Sequence, residues 1–351
     1  MTFPASPTFT QTTSAPVLAA RDLDIGYKAS RGAPKVIVPE MQFSLLPGEL
    51  VCLIGPNGVG KSTLLRTIAG MQPPLKGTLR LSGDEVADLA PLELARRLAI
   101  VLTERVDGGL LTAEALVGLG RHPHTDWSGW LNAQDEAVIH DALVAVGALE
   151  LAHRRVSELS DGERQKVMIA RALAQQPVVM LLDEPTAFLD LPRRVEMMRV
   201  LRTLARKTDC AVLLSTHDLD LALRSADRLW VLQKGGPLTI GAPEDLVLEG
   251  VLARVFAAEG VEFVPETGSF RLNSAPRGEV ALRGEQHGLA FYWTQRALER
   301  AGYTIRADAA VVVTVGSVSE GTEWYMDTHD GTTAEFASLY ALIAALQVLP
   351  H

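Results

Sequence analysis

GPNGVGKST, residues 55–63, stands between an apolar run, ELVCLI (49–54), and a helix-forming run, KSTLLRTIAG (61–70), which Gly70 ends. Gly, four residues, then Gly-Lys-Ser is the phosphate-cradling P-loop pattern, and a strand before it with a helix after it is the context that pattern needs. The loop Gly55, Pro56, Asn57, Gly58, Val59, Gly60, Lys61, Ser62 and Thr63 has the glycines to curl its backbone N–H groups inward around a nucleotide phosphate. Lys61 then reaches the β- and γ-phosphates, and the Ser62 hydroxyl is suited to Mg²⁺. Outward from the loop, GTLRLSG (77–83), LAIVLT (98–103), VVMLLD (178–183) and AVLLS (211–215) read as strands. Helices are expected near 162–175, 192–206 and 218–225. This alternation predicts an α/β fold with a mostly parallel sheet covered on both sides. A β-rich start over 17–54 and a strand-free helical stretch over 112–150 are added to it, and WVLQKGGPLTIG (230–241) reads as a hairpin about Gly235-Gly236.

Two acids end the buried run VVMLLDEP (178–185). Parallel sheets gather ligands at the carboxyl ends of their strands. Asp183 is therefore a candidate Mg²⁺ ligand, and Glu184 a candidate base for the water that attacks the γ-phosphate. His217 closes AVLLST at a further strand end and is a candidate γ-phosphate contact. LSDGERQK (159–166) is a polar turn running into a helix, whose free N–H groups and partial positive charge make a second seat for phosphate. One chain thus carries two phosphate seats.

In the order P-loop, LSDGE, Asp183-Glu184, His217, residues 17–255 resemble the ATP-binding cassette (ABC) ATPases. GLGRHPHTDWSGWLNAQD (118–135) and LPRRVEMM (191–198) resemble the ATP-binding subunits of importers of ferric siderophores, haem and vitamin B12. The resemblance implies an ATPase that uses ATP and Mg²⁺ and works as a homodimer across its ATP sites. Two cassettes pair head to tail, so Ser160, Asp161, Gly162 and Glu163 of one copy grip the γ-phosphate held by the other. It also implies that Tyr27 stacks on adenine and that Asp190, in FLD (188–190), couples the two sites. The implied partners are polytopic membrane permease subunits and, indirectly, a periplasmic or lipoprotein substrate-binding protein. The implied location is the cytoplasmic face of the cell membrane, peripheral through the permease. Three positions depart from the family pattern: Asp161 stands for a glycine, Glu163 for the usual glutamine, and Glu104 in LTERV (102–106) for a common glutamine. Two like charges at about 4 Å and an effective dielectric of about 20 repel by about 4 kcal/mol. Glu104 is therefore expected to face Mg²⁺ as a direct or water-mediated ligand. An ATPase at the inner face has no need to touch cargo, so His122 and His124 are read as surface or coupling residues. The alternative is a soluble ABC ATPase acting on ribosomes or DNA. Against it, the chain has one cassette and no heptads between Lys61 and Ser160.

The 351 residues, 47% of them hydrophobic, suffice for a full-sized domain and a smaller one. The expected layout is a flexible tail over 1–16, an ATPase domain over 17–258 with a helical subdomain about 105–176, a linker over 260–278 and a small α+β domain over 279–351. The last is expected to hold a helix near 289–301, strands at 310–315 and 322–327, and a helix near 333–348. That final helix would start in a Thr332/Glu335 capping box and show an apolar stripe of Phe336, Leu339, Tyr340, Ile343 and Leu346. Regulation, dimer steadying and passive extension are all open roles for this domain. A net charge of −9 without a basic block argues against nucleic acid. Cys52 and Cys210 read as buried small hydrophobes. His287 and His329 lack metal-ligand spacing. Residues 1–16 lack the apolar core of a signal peptide, and no run suffices to cross a bilayer, so a soluble, cytoplasmic chain is expected.

Overall fold

The computed structural model describes residues 15–28, 33–103, 109–127, 129–257, 261–272, 277–316, 323–328 and 331–349. Glu104 and His329 lie outside them. The chain divides into two compact units, one of Met1–Phe256 with Pro265–Ser269, the other of Ala257–Val264 with Phe270–His351.

The first unit opens with β1 (Leu18–Tyr27), β2 (Lys35–Leu45), β3 (Leu50–Ile54), α1 (Lys61–Ile68), β4 (Lys76–Leu81) and the short β5 (Asp84–Glu85). β2, β1, β4 and β5 make an antiparallel sheet in that order. The chain then passes through α2 (Pro91–Arg97), β6 (Leu98–Val101), α3 (Ala113–Gly118), α4 (Ala133–Ala145) and α5 (Asp161–Ala174). β7 (Val179–Asp183), α6 (Leu191–Thr208), β8 (Ala211–Ser215), α7 (Leu219–Ser225), β9 (Arg228–Val231), β10 (Thr239–Gly241), α8 (Pro243–Leu248) and α9 (Val251–Val255) complete it. The central sheet has the order β10-β9-β3-β8-β7-β6. All its neighbours run parallel except the β9–β10 pair, which closes the hairpin expected about Gly235-Gly236.

Burial on both faces explains why the central strands read as unbroken apolar runs. Val51, Leu53, Val179, Leu181, Ala211 and Leu213 share one core with Leu64, Leu65 and Ile68 of α1 and with the antiparallel sheet. The alternate residues Cys52, Met180, Leu182, Val212 and Leu214 are equally buried, on the face where α6 packs against β3 and β8. Burial raises the Cys52 thiol far above its ordinary value, with the Asp227 charge adding to it, and pushes Cys210 up to about 12. Both stay protonated and act as small hydrophobes.

The stretch expected to be a linker contains two short strands, β11 (Val261–Val264) and β12 (Ser269–Leu272), which pair. The second unit continues with β13 (Gly278–Arg283), α10 (Leu289–Arg300), β14 (Tyr303–Ile305), β15 (Val311–Val315), β16 (Trp324–Asp327), β17 (Thr333–Phe336) and α11 (Leu339–Val348). Its sheet order is β14-β13-β15-β16-β17, and Val280, Val313, Trp324 and Met326 share a core with Leu298, Leu342 and Leu346 of the two helices. The helix expected over 333–348 is a correction. Residues Thr333–Phe336 form an edge strand on β16, and the helix starts only at Leu339, where the Ser338 hydroxyl accepts from the Ala341 N–H at 3.2 Å. No Thr332/Glu335 capping box forms, and Phe336 reaches the core from a strand instead.

Candidate nucleotide site

Four parallel strands end side by side on one edge of the central sheet. β3 runs into the P-loop, β8 into Thr216-His217, β7 into Asp183-Glu184 and β6 into Thr103. Register sets the neighbours, because Leu53 and Asp183 both lie opposite Ser215. The P-loop strand is thereby one strand away from the acids.

The start of the loop packs closely on the chain that follows β9. Gly55 has φ +151°, and an added Cβ there would collide with the Leu232 carbonyl oxygen. Lys61 is only 7% exposed, and its ammonium donates to the carbonyls of Gly55 at 2.9 Å and Pro56 at 3.2 Å. Burial lowers the Lys61 pKa, while the charges of Glu184 and Asp183 oppose that shift. Asn57 and Gly58 are exposed at the tip, and Val59 is buried beneath it. Tyr27 is 49% exposed and its hydroxyl lies 3.2 Å from Thr63 Oγ1, which places it beside the loop.

Opposite the loop, Asp183 Oδ1 accepts from Ser215 Oγ at 2.7 Å and from Ser62 Oγ at 3.4 Å. Thr103 donates to the Asp183 carbonyl at 2.7 Å. The Glu184 N–H donates to Ser215 Oγ at 2.9 Å, with Glu184 itself at φ +52°, a strained conformation for a residue with a side chain. His217 Nε2 lies 2.6 Å from Glu184 Oε1. An ionised carboxylate only accepts, so the histidine is the donor. Convergent oxygens from Ser62 and Asp183 suit a small hard cation such as Mg²⁺. Ser215 and Thr103 are absent from the candidates read in the sequence. A serine that ends the apolar run AVLLS was the one signal for the first.

The second seat forms apart from these contacts. Ser160 caps α5: its hydroxyl accepts from the Glu163 N–H at 3.4 Å, and the Glu163 carboxylate accepts from the Ser160 N–H at 2.8 Å. Asp161 accepts from Arg164 at 3.0 Å. A Cβ on Gly162 would press on the Arg193 side chain, so the start of α5 abuts the start of α6. Asp190 caps α6 by accepting from the Arg193 N–H at 3.1 Å. Arg194 donates to the Leu189 carbonyl at 2.8 Å and to Asp218 at 3.4 Å, tying the Asp190 loop to the segment after His217. Of the histidines in the helical region, His122 is exposed and the His124 ring meets the Gln175 carbonyl at 2.9 Å. Among the described residues no cluster of His, Cys, Asp and Glu could hold a metal through three such ligands. No described helix is long and apolar enough to cross a membrane.

Comparison with known proteins adds to this geometry. Residues 38–187 match the family model described as ABC transporter, and residues 277–347 match one described as Iron ABC transporter C-terminal domain. An uncharacterized ABC transporter ATP-binding protein of Methanocaldococcus jannaschii is 40% identical over 260 residues, 74% of this chain and 88% of its own. The cobalamin import ATP-binding protein BtuD of Halobacterium salinarum is 40% identical over 241 residues; the match covers 68% of this chain and 60% of that protein. The ferric enterobactin transport ATP-binding protein FepC of Escherichia coli is 35% identical over 66% of this chain and 86% of its own. The dimeric, post-hydrolysis ATP-binding cassette MJ0796 bound to ADP and Pi has a TM-score of 0.55 at 26% identity, over 64% of this chain and 98% of that one.

Proposed function

The chain belongs to the ABC transporter ATP-binding proteins, and from this membership we propose that it is the energy-coupling ATPase of an importer for a metal chelate: a ferric siderophore, haem or cobalamin. The import and iron readings rest on the cobalamin and ferric enterobactin transport roles of the relatives and on the match to the iron transporter C-terminal domain. The proposed setting is a homodimer on the cytoplasmic face of the membrane, bound to polytopic permease subunits, with a substrate-binding protein delivering cargo outside.

The chemistry follows from the strand ends. Lys61 and the inward N–H groups of the P-loop would hold the β- and γ-phosphates, and the exposed Tyr27 would stack on the adenine. Mg²⁺, when bound by Ser62 and Asp183, would supply positive charge to the phosphate oxygens. Glu184 would take the proton of the attacking water, and His217 would keep its carboxylate aimed until the γ-phosphate arrives. The Ser160 hydroxyl spends a lone pair on its own helix and keeps its hydrogen for the phosphate held by the facing copy. Donors that meet charge only as it develops lower the barrier most. Closure on ATP and reopening after hydrolysis would then move the permease.

The observation that carries the enzymatic reading is the Glu184–His217 contact at 2.6 Å beside the Asp183–Ser62 pair. A Glu184→Gln chain should bind ATP, turn over about 100-fold or more slowly, and accumulate as a nucleotide-bound dimer in size-exclusion chromatography. Rapid hydrolysis by that variant would remove Glu184 from its role.

A further inference from the structure

The start of α5 is an unusual place to receive phosphate, because it begins with two acids. Asp161 and Glu163 both lie in its first turn. There they complement the positive end of the helix and so oppose the attraction that end would exert on an incoming anion. Each acid is met by an arginine. Glu163 accepts from the Ser160 N–H at 2.8 Å and from Arg154 at 3.1 Å, and that N–H first, then the Ser160 hydroxyl and Arg154, holds its carboxyl below the ordinary glutamate range. Asp161 Oδ1 accepts from Arg164 Nη2 at 3.0 Å, and the same nitrogen donates to the Leu159 carbonyl at 3.2 Å. The guanidinium is thus pinned at the helix start from two sides.

We propose that Arg164 is a positioning residue of the shared ATP site: by holding the Asp161 carboxylate, it keeps that charge from repelling the phosphate that α5 receives from the facing copy. The proposal rests on the head-to-tail reading of Ser160–Glu163. A partly exposed pair three residues apart on a helix contributes little to folding, so the Asp161–Arg164 pairing itself does little for stability. Its electrical consequence falls on the anion that approaches the turn. Together Asp161 and Arg164 sum to zero; without the guanidinium, the Asp161 carboxylate loses that counter-charge beside the seat of a triphosphate. Arg164 therefore matters because Asp161 is there, a dependence that distinguishes compensation from packing or direct phosphate contact.

The test uses the full chain carrying Glu184→Gln, with ATP-driven dimer formation read by analytical ultracentrifugation. Adding Arg164→Ala should raise the ATP concentration needed for half-dimerisation by about tenfold, less at high salt because the repulsion is screened. Adding Asp161→Asn to that chain should restore it to within about threefold. Arg164→Gln, which keeps most of the aliphatic stem, should repeat the loss. No loss with either substitution, or a loss that Asp161→Asn leaves in place, overturns the proposal. Failure of the Glu184→Gln chain itself to dimerise with ATP is a different result and overturns the head-to-tail reading beneath it.

Discussion

Ser215 has no exposed surface, and its hydroxyl serves both acids at once, donating to Asp183 at 2.7 Å and accepting from the Glu184 N–H at 2.9 Å. The second bond holds Glu184 in a left-handed backbone conformation of the kind that costs about 1–3 kcal/mol elsewhere. Ser215→Ala leaves that N–H without its acceptor and frees one side of Asp183. Stability should fall by about 1–3 kcal/mol in urea denaturation, and ATPase activity should fall more than ATP affinity, because Glu184 loses its aim. Equal losses in both would place Ser215 in the ground state alone. The contrast with Lys61 and Ser62 is instructive. Their roles follow from spacing along a few residues, whereas Ser215 acts through a register with β7, and no local pattern encodes a partner on another strand.

Among the elements, a buried cation ties the helical region to α5. Arg121 is 5% exposed and donates to Asp135 at 2.9 Å, to the Ala174 carbonyl at 2.7 Å and to Gln176 at 2.9 Å. Gly120 beside it permits this approach, since an added Cβ would collide with the Arg171 carbonyl on α5. Gln175 continues the link by donating to the carbonyls of Ala95 and of Leu98, the latter at 2.7 Å. The Asn132 N–H, followed by Arg121, holds the Asp135 carboxyl below its usual range. A carboxyl depressed in the folded state stabilises the fold above its unfolded value, about 3.9, and loses that contribution as pH falls through the folded value. Asp135→Ala strands Arg121 and should cost about 3–5 kcal/mol at pH 7. Its denaturant midpoint should also vary less below about pH 4 than the parent's; an unchanged acid slope would assign that slope to other carboxylates. At this scale local signals can lose. Thr332 and Glu335 spell a capping box, yet pairing of Trp324 with Phe336 across β16 and β17 draws that segment into the sheet.

For the whole molecule, the P-loop and the α5 start, the two proposed phosphate seats, have separate local partners: Asp183 and Tyr27 for one, Arg154 and Arg164 for the other. If two copies use the seats in the complementary way proposed above, turnover depends on association. ATPase activity per chain should fall on dilution and recover with added chain. Strict proportionality down to concentrations where sedimentation finds monomer alone would contradict shared sites.

Spacing along the chain by itself determined the P-loop, the Asp183-Glu184 strand end, His217, the capped start of α5 and the alternation that builds a parallel sheet. Each of these is a short-range pattern whose meaning lies in backbone geometry and hydrogen-bond valence. Only the folded chain decided that Ser215 holds both acids, that Arg121 binds the helical region to α5, and that residues 333–336 form a strand. Those outcomes depend on charges and donors from distant segments meeting in a low-dielectric interior or at one helix end, where the energy of a group is set by its neighbours in space.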